Sequence, residues 1–340
     1  MNKTKRILLW AAAALIFLAA AGFGAWRYVN APYAGSEPAW LYLPRGTTRA
    51  ALADSLRSAL GDHAGSRVAL IYNAAAKKDT PIRGAYRIDP GTSAKDIARR
   101  LVNRRQTPVR LTFNNVRTLS QLASRISSQM EFSDAQFLAA LDSVLPAAGF
   151  TSSAQYPAAF LPDTYEFYWT SPASETIQRL LDARNAFWSP ERRDAARRLG
   201  ITPVQAATIA SIAEEETNNR PERATVGRLY LNRLHKGMKL QADPTVKFAL
   251  GDFGLRRIRG EHLRVESPYN TYRVVGLPPG PIRIADAATI DALLNSRPHD
   301  WLYMCAKEDF SGTHNFTADY SAHLANARRY QRALSARNIH

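Results

Sequence analysis

The sequence predicts an α+β fold that follows a single N-terminal transmembrane helix. Residues 7–26 form an apolar run without a charged residue. Short alternating segments separated by turns and helices fill residues 39–113, which is typical of small strands next to helices. Residues 133–199 are mainly helical in pattern, interrupted by the aromatic stretch 160–169, and further helices are predicted after Thr202. This succession predicts a small subdomain followed by a larger, mixed α/β domain.

Composition excludes several classes of protein. The chain has 340 residues, of which 46% are hydrophobic and 22% charged, an ordinary globular mixture that excludes a mainly disordered chain. Cys305 is the one cysteine, which excludes an internal disulfide framework and a multi-thiolate metal site. The spacings of His299, Cys305, His314 and His323 fit no standard zinc motif. We therefore expect no metal and no other cofactor.

The net charge of +16 comes from 45 Lys and Arg against 29 Asp and Glu. A basic surface attracts polyanions such as nucleic acid, anionic lipid headgroups or acidic polysaccharide. The basic residues recur in short groups, for example residues 99–105 and 192–198, with the spacing of solvated helix faces. Both interpretations stay open: solvated helix faces or a surface that faces a polyanion.

The N-terminus has the pattern of a membrane anchor. Basic residues lie in the predicted cytoplasmic tail, residues 1–6, and precede Ile7–Trp26. Twenty residues span about 30 Å as a helix, the thickness of the hydrocarbon layer. The positive flank predicts that everything after Arg27 lies outside the cytoplasm, which argues against nucleic acid as the partner. The alternative is a signal peptide cleaved near Ala19–Gly22.

Residues 27–38 are predicted to be a linker, and residues 39–111 a small subdomain. Strands are predicted at Leu41–Leu43 and Gly84–Ile88, each followed by a turn and a helix, while Val68–Tyr72 fits helix or strand. This size and order is typical of a LysM-like carbohydrate-binding module, although many small α+β domains share it. Further on, the aromatic stretch Phe160–Trp169 fits either a core strand or a groove wall on which sugar rings stack.

The segment that carries chemistry begins at Thr202, a predicted helix N-cap followed by Pro203, with Gln205 completing a capping box. The helix is apolar nearly all round, which predicts burial, and it ends in three glutamates, 214–216. Carboxylates at a helix C-terminus are unfavourable, because that end of the dipole is negative. Stability alone does not explain them.

Glu216 is predicted to be the most desolvated of the three carboxylates. It lies four residues after Ile212 and seven after Ile209, so it continues an apolar stripe. Burial and acidic neighbours raise a carboxyl pKa, and a shift from about 4.3 to 6–7 requires about 3 kcal/mol. A proton donor to a glycosidic oxygen needs such a pKa. The alternative is a solvated helix end paired with Arg220 and Arg223.

Several motifs in order resemble the MltG (YceG-like) endolytic murein transglycosylases. They are Gly84–Arg87, Leu161–Tyr165, Ser211–Thr217, Tyr230–Leu234, Leu240–Thr245, Tyr269–Tyr272, Gly276–Ile282 and Gly312–Phe316. The resemblance implies a LysM-like subdomain and a catalytic domain over residues 112–340. It also implies that Glu216, immediately before Thr217, is the catalytic acid. Candidates for substrate binding around it are Gln241, Asp243, Thr245, Asn270, Tyr272 and His314.

Two positions depart from the pattern of many relatives. Glu215 stands where the family often has a basic residue, and we expect it to raise the pKa of Glu216 further. Asn114–Val116 stands where many relatives carry a Glu-Gly turn, so the geometry of that loop is not predicted.

The expected substrate is the glycan strand of peptidoglycan, and the expected location is the inner membrane with the catalytic domain on the periplasmic side. Glu216 would serve as acid and then base, closing a 1,6-anhydro ring on N-acetylmuramic acid (MurNAc) within newly made strands and ending their elongation. The family also implies a peptidoglycan synthase, or elongation or division machinery, as partner. Two alternatives stay open: a muramidase-type hydrolase that uses Asp243 or Glu261 as second carboxylate, and a non-catalytic wall-binding scaffold.

Overall fold

The computed structural model describes residues 3–77, 81–255 and 257–337. Two compact units divide the chain. Unit 1 comprises residues 1–111, 129–131 and 166–171, and unit 2 comprises residues 112–128, 132–165 and 172–340. The mixed α/β content agrees with the predicted class.

Helix α1, Lys3–Asn30, is long and apolar enough to cross a membrane, with a mean hydropathy of 2.3 in its most apolar window. It continues four residues into the segment predicted as a linker, because no helix breaker occurs before Pro32. The segment that follows is also not a free linker. The N–H of Tyr33 donates to the carbonyl of Thr92 (2.8 Å), and that of Ala94 to the carbonyl of Ala31 (3.0 Å).

Among the described residues up to Val102, two strands and three helices of unit 1 follow α1. Their bounds are β1 Ala39–Thr47, α2 Arg49–Leu60, α3 Asp62–Ala75, β2 Ile82–Ile88 and α4 Ala94–Val102. β1 and β2 pair antiparallel, with Leu41 opposite Tyr86. The helices cover the inner face of this hairpin, where Leu41, Leu43 and Ile88 are buried. The ambiguous segment Val68–Tyr72 is helical, and its Val68 and Tyr72 face the same core, four residues apart.

Two strands, β3 (Val109–Phe113) and β4 (Asp163–Phe167), form a second two-stranded sheet. Between them lie α5 (Leu119–Ser127) and α6 (Asp134–Val144), with short 3-10 turns at Pro146–Ala148 and Ser153–Ala159. The aromatic stretch contains β4, but the core-strand interpretation holds only in part. Phe167 is the buried residue of the strand, Phe160 is buried before the strand begins, and Tyr168 is exposed.

The rest of unit 2 is a helical body with one hairpin. Its elements are α7 Ala173–Phe187, α8 Pro190–Arg198, α9 Pro203–Glu216, α10 Arg223–His235, α11 Asp243–Leu250, α12 Ala287–Leu294, β5 Tyr303–Ala306, β6 His314–Thr317 and α13 Tyr320–Ala336. Short 3-10 turns lie at Arg220–Glu222 and His262–Arg264. Helices α8, α10, α11 and α12 all pack on α9. This central position explains why every residue from Ala206 to Glu214 is buried.

Candidate active site

Helix α9 fixes the position of Glu216. Its predicted capping box is present: Thr202 accepts the backbone N–H of Gln205 (3.2 Å), and the Gln205 side chain accepts the N–H of Thr202 (2.8 Å). The helix ends at Glu216, since Thr217 is extended (φ −139°, ψ 132°). The last helical residue therefore carries its carboxyl at a well-defined place.

Glu216 opens into a cavity of about 310 Å³ in unit 2. The cavity is lined by Glu216, Leu229, Tyr230, Arg233, Leu240, Gln241, Asp243, Tyr272, Met304 and His323. Four residues predicted from the sequence thus share one cavity: Glu216, Gln241, Asp243 and Tyr272. The lining is mainly polar, and its apolar members are Leu229, Leu240 and Met304.

The carboxyl of Glu216 is desolvated, and within residues 3–77, 81–255 and 257–337 no cation pairs with it directly. Burial raises its pKa to about 7, and the negative charge of Asp243 raises it as well. A 2.6 Å hydrogen bond from the hydroxyl of Tyr230 to Oε1 lowers the pKa in part. The direction and size agree with the expectation from the sequence, but the acidic neighbour responsible is Asp243 and not Glu215.

Glu215 does not act on Glu216 as expected because two guanidinium groups hold it. Arg117 donates to both of its carboxylate oxygens (3.0 Å each), and Arg283 donates to Oε1 at 2.9 Å. Arg283 also donates to Oδ1 of Asn115 (3.1 Å), which has a left-handed φ of 49°. The two departures from the family pattern therefore meet in one ion-pair network, which fixes the loop before α5.

Glu214, and not Glu216, exposes the least surface of the three glutamates, at 3%. It lies inside a cluster of charges: Arg283 approaches at 3.0 Å and Arg223 at 3.8 Å, and its Oε1 accepts the backbone N–H of Asp286 at 2.8 Å. A helical stripe cannot reveal this burial, because it comes from residues distant in the chain. The end of α9 is thus not a solvated face, although Arg223 does pair there.

Asp243 and Tyr272 form a second polar pair on the cavity wall. The Tyr272 hydroxyl donates to Oδ1 of Asp243 at 2.6 Å, and Asp243 is the first residue of α11. Burial and Asp243 raise the pKa of Tyr272, so the phenol stays protonated. Beside them, Gln241 has a left-handed φ of 52°. Non-glycine residues hold this conformation only where neighbours enforce it.

Thr245 and Asn270 do not line the cavity; they brace the segments that do. The hydroxyl groups of Thr245 and Thr271 are hydrogen-bonded at 2.8 Å. The Thr271 hydroxyl also accepts the N–H of Ala242 (3.0 Å), and the Thr271 carbonyl accepts the N–H of Gln241 (3.1 Å). The buried Asn270 donates to the carbonyls of residues 263 and 265 and accepts the N–H of Tyr272 (3.1 Å). Both side chains therefore act on the shape of the site.

His314 is likewise outside the residues that line the cavity. Its Nδ1 lies 2.9 Å from Oε2 of Glu222, and its N–H donates to Oε1 of Glu222 at 2.9 Å. This pair joins β6 to the turn before α10. Glu261 also lies outside the lining, in contact with His262 and largely exposed.

Sequence reasoning did not assign Tyr230, Arg233, Met304 and His323 to the site. Tyr230 and Arg233 lie three residues apart on α10, on the same face of the helix, and both are buried. In the sequence, this spacing cannot be distinguished from that of ordinary core residues. Arg233 donates to the carbonyls of Leu240 (2.7 Å) and Leu302 (2.6 Å), and so joins the two cavity walls. Met304 and His323 come from β5 and α13, and no local pattern relates those elements to α9.

Comparisons with known proteins show what the whole chain is similar to. The chain is 26% identical over 313 residues to an endolytic murein transglycosylase of Bacillus subtilis (strain 168), with 87% of this chain and 85% of the relative covered. It is 29% identical over 149 residues to the protein of that name in Streptococcus pneumoniae (strain D39), covering 43% of this chain and 27% of that one. The crystal structure of a YceG-like protein from Listeria monocytogenes superposes with a TM-score of 0.54 at 25% identity, covering 86% of this chain and 99% of the other. The sequence profile of the YceG-like family matches residues 41–329, and the chain belongs to that family.

Proposed function

We propose that this protein is a membrane-anchored endolytic lytic transglycosylase, which cleaves the bond between MurNAc and N-acetylglucosamine (GlcNAc) within peptidoglycan strands. The observation that carries the proposal is Glu216, a desolvated carboxyl with a pKa raised to about 7 that opens into a polar cavity. Such a group holds a proton near neutral pH and can also release it. The names of the relatives support the reaction class.

The proposed reaction needs one carboxyl group. Protonated Glu216 donates its proton to the glycosidic oxygen as the bond from that oxygen to C1 of MurNAc breaks. The positive charge that develops at C1 lies next to a new carboxylate. Glu216 then takes the proton of the C6 hydroxyl of the same sugar, and that oxygen attacks C1 to close a 1,6-anhydro ring. No water is consumed, and Glu216 ends protonated for the next cycle.

The neighbouring side chains have distinct roles in this proposal. Tyr230 donates to the Glu216 carboxylate and stabilises its ionised form between the two proton transfers. Arg233 contributes a positive charge on the same side of the pocket. Asp243, Tyr272 and Gln241 supply acceptors and donors for sugar hydroxyl and N-acetyl groups. Thr245 and Asn270 hold the segments that present them, and His314 supports the outer β-hairpin.

The anchor suggests where the enzyme works. Helix α1 would cross the inner membrane with Lys3, Lys5 and Arg6 on the cytoplasmic side, and the rest of the chain would then lie in the periplasm. Hydrogen bonds between residues 31–33 and 91–94 keep unit 1 close to the end of that helix. We therefore propose nascent glycan near the membrane as substrate, the end of strand elongation as the outcome, and a peptidoglycan synthase or its elongation or division complex as partner.

Unit 1 is proposed to be a LysM-like module that binds the glycan. Its small α+β hairpin and its basic composition support this proposal: residues 31–111 contain 14 Lys and Arg and six Asp and Glu. Positive charge suits a polymer that carries carboxylates on its peptide stems. The match of the family profile begins at residue 41, inside this unit.

The deciding experiment is digestion of purified sacculi with the wild-type protein and with Glu216→Gln. Wild type is expected to release muropeptides with 1,6-anhydro ends, which borohydride does not reduce, and Glu216→Gln is expected to release none. Glu215→Gln, which changes the adjacent glutamate and keeps Glu216, is the matched control and should retain the product. Anhydro products from folded Glu216→Gln protein would refute the assignment.

A hydrolase is the second candidate, because Asp243 lines the same cavity as Glu216. It would use Glu216 as acid and Asp243 as base or nucleophile. Its products would have reducing ends, which borohydride converts to alditols. The same digestion therefore separates the two reactions. A scaffold without activity would give neither product.

A further inference from the structure

The outer face of strand β1 carries aromatic residues where polar ones are expected. Leu41 and Leu43 point inward and are buried, while Trp40 is 37% exposed and Tyr42 is 45% exposed. A strand with one face on the core normally presents polar side chains to water on the other. Two large rings held in water on adjacent outward positions indicate a contact surface.

The two rings belong to a larger aromatic surface within unit 1. Trp40 and Tyr42 are 5.7 Å apart between ring centroids and only 13° from parallel. Trp169 meets Tyr42 edge to face at 5.3 Å, and Tyr168 next to it is 54% exposed. We call Trp40, Tyr42 and Trp169 the aromatic platform. Because Trp40 and Tyr42 stack on each other, a ligand meets the outward ring faces and the ring edges that this stack leaves exposed.

Polar and charged groups surround this platform. Arg87 lies directly opposite Trp40 in the β1–β2 pair and is exposed, with its guanidinium 3.0 Å from Asp89. The Arg45 backbone N–H donates to the carboxylate of Glu131 at the other end of β1. An apolar surface with a mixed polar rim suits a ligand that has both flat C–H faces and hydroxyl groups.

We infer that the platform of Trp40, Tyr42 and Trp169 binds the glycan strand of peptidoglycan by stacking sugar rings on the aromatic faces. The inference rests on the proposed function for the class of ligand. It adds a binding surface in unit 1, separate from the Glu216 cavity in unit 2. Pyranose rings have apolar C–H faces, and their hydroxyl and carboxylate substituents would meet the polar rim and the basic charge of the unit.

Binding of full-length protein in detergent micelles to purified sacculi tests the inference. All variants carry Glu216→Gln, so the glycan stays intact whatever the catalytic mechanism. The double variant Trp40→Ala/Tyr42→Ala is expected to weaken binding about tenfold, since a few aromatic contacts usually dominate such interfaces. Trp40→Phe should retain most of the affinity. Leu70→Ala removes an exposed apolar side chain of α3 in the same unit and is the matched control.

Unchanged affinity of a correctly folded double variant, relative to Leu70→Ala, would overturn the inference. A membrane-facing platform is the other outcome to exclude. This is measured in nanodiscs with brominated lipid, which quenches the fluorescence of nearby tryptophans. If the quenching is weaker in Trp40→Phe than in the parent protein, Trp40 contacts lipid, and this result too would overturn the inference. Failure of the proposed catalysis is distinguishable, because only the Glu216→Gln digestion measures it.

Discussion

The hydroxyl of Tyr230 donates a 2.6 Å hydrogen bond to Oε1 of Glu216. Tyr230 keeps its own proton, since burial and the Glu216 carboxylate raise its pKa well above the ordinary value. The bond therefore stabilises the ionised form of Glu216 and opposes the effect of burial. Two opposed effects leave the pKa of Glu216 at about 7, where one carboxyl can act as acid and as base.

Replacement of Tyr230 by Phe is expected to raise the pKa of Glu216. Because protonated Glu216 starts the reaction, the wild-type kcat/KM should decrease as pH rises through about 7. In Tyr230→Phe this decrease should move up by roughly one to two pH units, since a hydrogen bond to a charged group contributes about 1.5–3 kcal/mol. Tyr330→Phe on α13 is the control and should leave the profile in place. An unshifted profile in Tyr230→Phe would contradict the role given to the hydrogen bond.

Glu216 should also make stability depend on pH. Its folded-state pKa is raised from 4.5 to about 7, so the folded protein binds the proton more tightly than the unfolded chain. The ionised Glu216 carboxylate therefore lowers the free energy of unfolding. This effect is absent below pH 4.5, grows between pH 4.5 and 7, and is complete above pH 7, where it amounts to about 3 kcal/mol. Glu216→Gln should therefore raise the Tm by more at pH 8 than at pH 4.5. Equal Tm differences at the two pH values would show that the carboxyl is hydrated.

The Arg117–Glu215 pair joins residues 98 positions apart in the chain. Both side chains are partly buried, so we expect a double-mutant cycle of Arg117→Met and Glu215→Gln to give a coupling energy of about 1 kcal/mol. The exposed pair Arg87–Asp89 in unit 1 is the control and should couple weakly. Urea unfolding measures both cycles. Coupling no larger than that of the control would mean that the network does not fix the loop.

The sequence predicted the raised pKa of Glu216 because the evidence for it is local. A capped helix that is apolar nearly all round and ends in carboxylates is visible within fifteen residues. The partners of that helix are not local: Tyr230 has the pattern of core packing, and His323 comes from the last helix. The same limit applies to Glu215, which was expected to raise the pKa of Glu216. Arg117 and Arg283, which pair with Glu215 instead, come from two separate loops that the local pattern does not reveal. Helix α3 was ambiguous for another reason, as a short apolar run fits both helix and strand.

Strain at Gln241 provides a test that separates stability from function. Its φ of 52° is unfavourable for a residue with a Cβ, and the hydrogen bond of its N–H to Thr271 holds it there. Gln241→Gly removes the strain and should stabilise unit 2 by about 0.5–1 kcal/mol. The gain is no larger because glycine also has more conformational freedom in the unfolded chain, which favours unfolding.

The same change removes a side chain that lines the cavity, so transglycosylase activity should fall although the protein is more stable. Gln241→Ala separates the two effects: it loses the amide but keeps the strained backbone, and it should lose activity without gaining stability. Thermal unfolding and release of anhydro-muropeptides are measured on both variants. If Gln241→Gly retains full activity, the amide makes no contact that the reaction needs, and Gln241 contributes only to the shape of the wall.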